Sequence, residues 1–89
     1  MKLMINALIW DDWNREHITK HKVTSGEIEE VCHGHHQIFE SYRKRILIIG
    51  ETKKGKTLVV VLSPEDRNLR SYEEGKYYVI TAFEREAKQ

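Results

Sequence analysis

The chain has 89 residues, of which 39% are hydrophobic and 33% charged, and its formal net charge is +1. This length predicts one small domain spanning residues 1–89, with a single modest core. The longest apolar runs, RILIIG and TLVVVLS, are far shorter than the ~20 residues that cross a bilayer. Because the lone Cys32 excludes an internal disulfide, we expect a cytoplasmic protein without membrane contact.

Hydrophobic periodicity divides the chain into helices and strands. The pattern predicts, in order, a strand at Met4–Trp10, a helix at Trp13–Lys22, a second helix from Thr24 or Ser25 to Gly34, and strands at Gln37–Ser41, Arg45–Glu51, Lys56–Ser63 and Lys76–Phe83. The helices follow capping residues and repeat apolar side chains at helical spacing, whereas the strands are rich in β-branched residues. This order predicts an α+β domain with two N-terminal helices packed on a small antiparallel sheet.

The stretch Gly50–Thr57 reads GETKKGKT and fits G-x-x-x-x-G-K-[ST], the P-loop fingerprint for phosphate binding. That fingerprint requires a helix to begin at the lysine, because the helix N-terminus holds the phosphates. Here the next residues are TLVVVL, which favours a strand. We therefore predict a β-hairpin turn with basic residues on it, not a nucleoside triphosphatase.

Histidines suggest a metal site as an alternative function. Cys32–His36 reads C-H-G-H-H, and thiolate and imidazole are both ligands for zinc or copper. Ligands this crowded are not typical of a structural zinc site, so we expect no metal and no cofactor, with a small His-rich metal-binding protein as the alternative. His17 and His21 lie four residues apart, where they can chelate a metal or carry out acid–base chemistry.

Basic residues are concentrated in the window Tyr42–Lys56, which contains a single acid, Glu51. The basic residues of this window are Arg43, Lys44, Arg45, Lys53, Lys54 and Lys56. A local basic face on a nearly neutral chain is compatible with phosphate binding.

Several short motifs follow one another in a specific order. They are W-D-x-W-N at Trp10–Asn14, K-H-x-V at Lys20–Val23, R-x-x-x-x-G at Arg45–Gly50, G-K-x-L-V-V-V at Gly55–Val61, and I-T-A at Ile80–Ala82. Together they resemble the BrnT-type toxins of bacterial type II toxin–antitoxin systems. The resemblance covers most of the chain and implies a compact RelE-like fold.

The resemblance also implies a function. BrnT-type toxins are metal-independent endoribonucleases that inhibit translation, and a cognate ribbon-helix-helix antitoxin neutralises them. The complex represses its own operon, so operator DNA is a partner only through the antitoxin. RNA supplies its own 2′-OH nucleophile, and the protein must provide an acid, a base and cations for the charged phosphate.

Site residues are carried over by position. Lys20 and His21 match the K-H pair of the family, and Arg45 matches its strand arginine. We expect His21 to act as acid or base, with Lys20 and Arg45 stabilising the phosphate. Tyr78 is expected to hydrogen-bond the phosphate or move a proton. The RNA backbone contacts are expected from Arg43, Lys53, Lys54 and Lys56.

Two positions depart from the family pattern. The last strand of the family has arginines where this chain has Tyr78 and Phe83, and neither residue supplies a positive charge at neutral pH. A weakened ribonuclease, or a catalytically inactive module that binds the antitoxin and regulates the operon, is therefore an alternative. Among the remaining aromatic residues, Trp10 and Trp13 are expected in the core, while Tyr77 and Tyr78 face opposite sides of the sheet.

Overall fold

The computed structural model describes residues 5–41, 44–66 and 68–85. Its elements are β1 (Ala7–Ile9), α1 (Asp12–Thr19), α2 (Ser25–His33), β2 (His36–Glu40), β3 (Ile46–Glu51), β4 (Thr57–Ser63) and β5 (Lys76–Glu84). The predicted order of elements and the α+β class are confirmed. Within the described residues, no helix is long and apolar enough to cross a membrane.

Some predicted boundaries are wrong by a few residues. Helix α1 ends at Thr19 instead of Lys22, because the next residues form a tight turn. The first strand is shorter than predicted and its start at Met4 lies outside the described residues. Strand β4 begins at Thr57, which confirms the predicted hairpin and places a strand where a P-loop requires a helix.

The five strands form one mixed sheet in the order β1-β5-β4-β3-β2. The pairs β2–β3, β3–β4 and β4–β5 are antiparallel, whereas β1 pairs with β5 in parallel, with Leu8 opposite Tyr77. The predicted antiparallel sheet is therefore wrong at this edge, and the helices follow a strand of the sheet instead of preceding all of it. Residue pattern along a strand carries no information about the direction of its partner.

The helices cover one face of the sheet. A Cβ atom added to Gly50 would lie 2.8 Å from Cγ1 of Val31, so α2 packs directly on β3 at this point. Alternation along β3 places Ile46 and Ile48 on the same covered face, where both are buried. The buried core cluster comprises Ile18, Val23, Ile28, Val31, Cys32, Ile46, Ile48, Leu58, Val60, Leu62, Tyr77, Val79 and Ala82.

The other face of the sheet is apolar but carries no helix among the described residues. We define this open face as Phe39, Leu47, Ile49, Val59, Val61 and Phe83. Phe39 is 46% exposed and Phe83 is 41% exposed, whereas Val59 is buried although it lies outside the core cluster. Apolar side chains that shield one another on an uncovered sheet are typical of a surface that meets a partner.

Strand β5 contains a β-bulge. Its register with β4 shifts between Val61, which pairs with Thr81, and Leu62, which pairs with Val79. The additional residue, Ile80, bends the strand and changes which side chains face α1. One result is that the Thr81 hydroxyl lies 3.0 Å from Nε2 of His17 on α1.

A single buried amide joins α1 to both strands beneath it. Asn14 is 1% exposed, and its Nδ2 donates to the carbonyl of Ile9 in β1 at 2.9 Å and of Val79 in β5 at 3.0 Å. Asn14 and Asp11 also exchange two hydrogen bonds of 2.9 Å, which form the capping box of α1. The amide therefore connects the parallel strand pair to the start of the helix.

The two tryptophans differ in burial. Trp10 packs against the core and its Nε1 donates to Glu29 at 2.9 Å, as expected of an anchoring residue. Trp13 is 65% exposed, so its predicted core position is wrong. Asn14 and Ile18 form the buried side of α1, which turns position 13 outward.

We predict that Asn14→Ala lowers the free energy of unfolding by about 2–4 kcal/mol, because it leaves two strand carbonyls without their donor and the backbone N–H of Asp11 without its acceptor. Asn14→Asp is expected to cost as much, since an ionised carboxylate cannot donate to the two carbonyls. Urea denaturation measures both losses. The exposed neighbour Arg15 provides the control: Arg15→Ala should change the free energy of unfolding by less than about 0.5 kcal/mol. An Asn14→Ala variant as stable as the wild type would contradict the role of the Asn14 amide.

Candidate functional site

The turn between the helices presents three consecutive basic side chains. Lys20, His21 and Lys22 are all exposed, and the N–H groups of His21 and Lys22 donate to the carbonyls of Ile18 and Thr19. Lys22 has a φ of 59°, which reverses the chain direction. The next residue, Val23, is buried in the core, so the K-H-x-V motif consists of an exposed basic turn and an apolar anchor.

The β3–β4 hairpin turn packs beside this basic turn. The Nζ atom of Lys56 lies 3.0 Å from a carboxylate oxygen of Glu27 in α2 and donates to the carbonyl of Lys22 at 3.5 Å. Near the same turn, the backbone N–H of Lys53 donates to Glu30 at 2.9 Å. Since Lys56 is already paired, its role is to hold the two turns together, whereas the exposed Lys53 and Lys54 side chains are placed for ligand contact.

A third segment reaches the same end of the sheet. The backbone N–H of Arg85 donates to the carbonyl of Thr57 at 2.7 Å, which places the end of β5 beside the hairpin. We call this region the basic end, and it comprises Lys20, His21, Lys22, Lys53, Lys54, Lys56 and Arg85. Lys22 and Arg85 were not predicted from the sequence, because their proximity depends on contacts between segments distant in the chain.

Two imidazoles lie together at this end. The rings of His17 and His21 are 5.3 Å apart and inclined by 63°. His17 is half-buried and is oriented by the Thr81 hydroxyl, whereas His21 is exposed. The four-residue spacing of the histidines predicts their proximity, but the contact with Thr81 depends on the packing of α1 on β5. Paired imidazoles next to ammonium groups are suited to proton transfer at a phosphodiester.

Arg45 and Tyr78 lie elsewhere. They line one cleft of about 700 Å³, where β3 begins and β4 ends, and the Tyr78 hydroxyl donates to the Asp11 carboxylate at 2.9 Å. Strand β4 runs 7 residues from Thr57, near the basic end, to Ser63, in this cleft, so the two ends of this strand are about 20 Å apart. The structure therefore does not bring the four predicted catalytic residues into one site.

The predicted RNA-contact residues are also divided. Arg43 lies outside the described residues, whereas the three hairpin lysines are all at the basic end. Position 83, where the family has an arginine, is on the open face. Position 78 lies beside Arg45 in the cleft. Phe83 and Tyr78 therefore add no positive charge to the side of the sheet opposite the helices.

The cysteine and the histidines of the C-H-G-H-H stretch lie in different environments. Cys32 is in the core, and burial, with a smaller effect of the Glu29 charge, raises the pKa of its thiol to about 12. His33 lies 3.0 Å from Glu29, and Nδ1 of His36 lies 3.0 Å from the carbonyl of Val31. Over residues 5–41, 44–66 and 68–85, no group of three or more His, Cys, Asp or Glu side chains is arranged to hold a metal ion.

Comparison with known proteins adds no further constraint. No protein-family model matches the chain, and no curated protein or solved structure is significantly similar to it. The functional argument therefore depends on the ordered motifs of the sequence and on the geometry of the basic end.

The contact between Glu27 and Lys56 predicts a pH-dependent stability. The hydrogen bond from the Thr24 backbone N–H holds the pKa of Glu27 below its ordinary value of 4.5; burial opposes this effect, and Lys56 reinforces it. A lowered pKa in the folded state stabilises the fold above pH 4.5, and this stabilisation is lost as the pH falls.

We predict that Glu27→Gln lowers the free energy of unfolding at pH 7 by about 0.5–1 kcal/mol, because the lost ion pair is partly exposed. Urea denaturation should show that the deficit shrinks as the pH falls below 4.5. Glu16→Gln, on the exposed side of α1, is the matched control and should be neutral at both ends of the pH range. A deficit for Glu27→Gln that does not change with pH would show that its charge is unimportant.

Proposed function

We propose that this protein is the toxin of a type II toxin–antitoxin system and acts in the cytoplasm as a slow, metal-independent endoribonuclease that inhibits translation. One observation carries the proposal: Lys56 connects the Lys20–Lys22 turn to the hairpin turn, so basic segments distant in sequence meet beside two imidazoles. The motifs that resemble BrnT-type toxins support the same function.

The proposed cleavage takes place at the basic end. His21, which is exposed beside Lys20 and Lys22, exchanges a proton with the 2′-OH or with the leaving 5′-oxygen, since a positioned imidazole can act as acid or base. His17, oriented by Thr81, provides the second imidazole for the complementary proton transfer. Lys20 and Lys22 stabilise the negative charge that develops on the phosphorane. RNA carries its own nucleophile and the lysines supply positive charge, so this mechanism uses no metal.

The RNA strand is proposed to follow exposed cations around this end. Lys53, Lys54 and Arg85 contact phosphates and position the strand without reading its sequence. Arg45 has no part in the cleavage step of this proposal, because it lines the cleft with Tyr78, whereas His21 lies in the turn that Lys56 joins to the hairpin. Slow turnover is expected because Tyr78 and Phe83 stand where the family has guanidinium groups, and neither supplies a positive charge.

The open face favours a second candidate function. A catalytically inactive module would use Phe39, Phe83 and their apolar neighbours to bind the ribbon-helix-helix antitoxin, which alone contacts operator DNA. The observation in its favour is that these phenylalanines are 46% and 41% exposed on a face that no described helix covers. Among the described residues, no geometry supports the third alternative, a His-rich metal-binding protein.

We predict that His21→Ala reduces RNA cleavage by about 10²–10⁴-fold, the usual contribution of a positioned acid or base. The measurement is cleavage of total RNA by purified protein in EDTA, together with growth after induced expression. His35→Ala, a change of another exposed histidine, is the control and should keep both activities. Equal cleavage by wild type and His21→Ala would contradict the catalytic assignment.

The same assays separate the two candidate functions. A wild-type protein that leaves RNA intact and growth unaffected, but binds the ribbon-helix-helix product of the neighbouring gene, would support the inactive module. Growth arrest that this gene product reverses would support the toxin. Since Phe83 occupies a family arginine position, Phe83→Arg is a useful gain-of-function test, and we expect it to increase cleavage.

A further inference from the structure

The cleft that contains Arg45 and Tyr78 has no role in the proposed cleavage step. It has a volume of about 700 Å³ and is bounded by the start of β3, the end of β4, the middle of β5 and the loop after Pro64. Clefts of ~300–1,000 Å³ are typical of small-molecule sites. Three features of its lining define what it can bind: an unpaired cation, an acceptor, and aromatic walls.

The cation is Arg45. Its guanidinium has no ion pair or hydrogen bond among the described residues, although the neighbouring Lys44 is paired with Glu65 at 3.3 Å. The backbone of Arg45 is fixed, because its carbonyl accepts from the N–H of Ser41 at 2.8 Å. A guanidinium that lines a cleft without a partner is suited to bind a phosphate or carboxylate in a bidentate manner.

The acceptor is Asp66. Its Oδ1 accepts from the backbone N–H groups of Asn68 at 2.8 Å and Arg70 at 3.0 Å, which fixes the carboxylate in its loop. Its Oδ2 has no hydrogen-bond partner among the described residues and is available to a donor on a ligand. The carboxylate of Asp11 lies near the same side, bound by the Tyr78 hydroxyl.

The walls between these groups are apolar or aromatic. Tyr72, Tyr78 and Leu69 line the cleft, and Leu69 is 77% exposed. Burial, reinforced by the charges of Asp66 and Asp11, raises the pKa of the Tyr72 phenol above its ordinary value. Lys44 and Leu69, which both line the cleft, have φ values of 65° and 63°, and such strained residues are concentrated at binding sites.

We propose that this cleft binds a guanosine monophosphate unit, with the phosphate on Arg45, the base on the tyrosine wall and the donor edge of guanine on Asp66. Guanine presents its N1–H and N2–H groups along one edge, which matches a carboxylate, whereas adenine presents an acceptor at N1. The unit is either a free nucleotide or part of an RNA strand, and only the second source rests on the proposed function.

Binding is tested on the full-length protein by calorimetry and by amide chemical shifts. GMP should bind at least about tenfold more tightly than AMP, because the guanine edge donates to the free Oδ2 of Asp66, whereas adenine N1 would place an acceptor against it. Guanosine and inorganic phosphate, tested separately, should each bind more weakly than GMP. Equal affinities for GMP and AMP, or for GMP and inorganic phosphate, would overturn the proposal.

Two substitutions locate the site. Arg45→Gln should weaken GMP binding about tenfold and leave guanosine binding unchanged, and Arg15→Gln on α1 is the matched control. Asp66→Asn keeps an oxygen for the two backbone N–H groups but replaces the free acceptor by a donor. It should therefore weaken GMP binding without weakening AMP binding. If both substitutions leave GMP binding unchanged, the nucleotide binds elsewhere and the proposal fails.

The source of the unit is tested with short RNA. An oligonucleotide with one guanosine should compete with GMP, and its affinity should fall on Arg45→Gln. If only free GMP binds, the cleft is a nucleotide site unrelated to RNA cleavage, which overturns the RNA source and retains the binding site. Because His21→Ala should bind GMP as wild type does, loss of cleavage and loss of guanine recognition are separate results.

Discussion

The hydrogen bonds of the Asn14 side chain are the constraint on which the other contacts depend. This amide donates to one carbonyl from each strand of the parallel pair and closes the capping box of α1. The orientation of α1 on β5 follows from it, and with that orientation comes the position of His17 against Thr81. A hydrophobic residue of similar size would fill the space but leave two buried carbonyls without donors, which is costly in a domain this small.

The second consequence of this packing is a division of charge between the two ends of the sheet. At one end, the Lys56 side chain joins the helix turn to the hairpin turn, and the exposed lysines and His21 surround the contact. At the other end, Arg45 and the two tyrosines line a cleft whose acidic residues are largely engaged by neighbouring groups. The two ends therefore differ in chemistry: the basic end presents exposed ammonium and imidazole groups, whereas the cleft combines one guanidinium with aromatic walls.

The two faces of the sheet also differ, since helices cover one of them and leave the other open. The helix-covered face is filled by branched aliphatic side chains, and Gly50 is required there because a Cβ would collide with Val31 and the backbone of His35. On the open face, Phe39 and Phe83 remain partly exposed. Tyr78 and Phe83 place no positive charge on this side, which favours apolar contact over phosphate binding.

Local pattern in the sequence was sufficient to predict the element order, the α+β class and the hairpin at Gly50–Thr57, because periodicity, capping and β-branching act between near neighbours. The same pattern located the basic turn and the hairpin lysines as separate features. Only the tertiary structure decided that β1 pairs in parallel with β5, that Trp13 is exposed, and that Lys22 and Arg85 join the basic end while Arg45 does not. These outcomes depend on strand direction, the bulge at Ile80 and long-range hydrogen bonds, and no spacing along a single segment encodes contacts between residues so far apart in the chain.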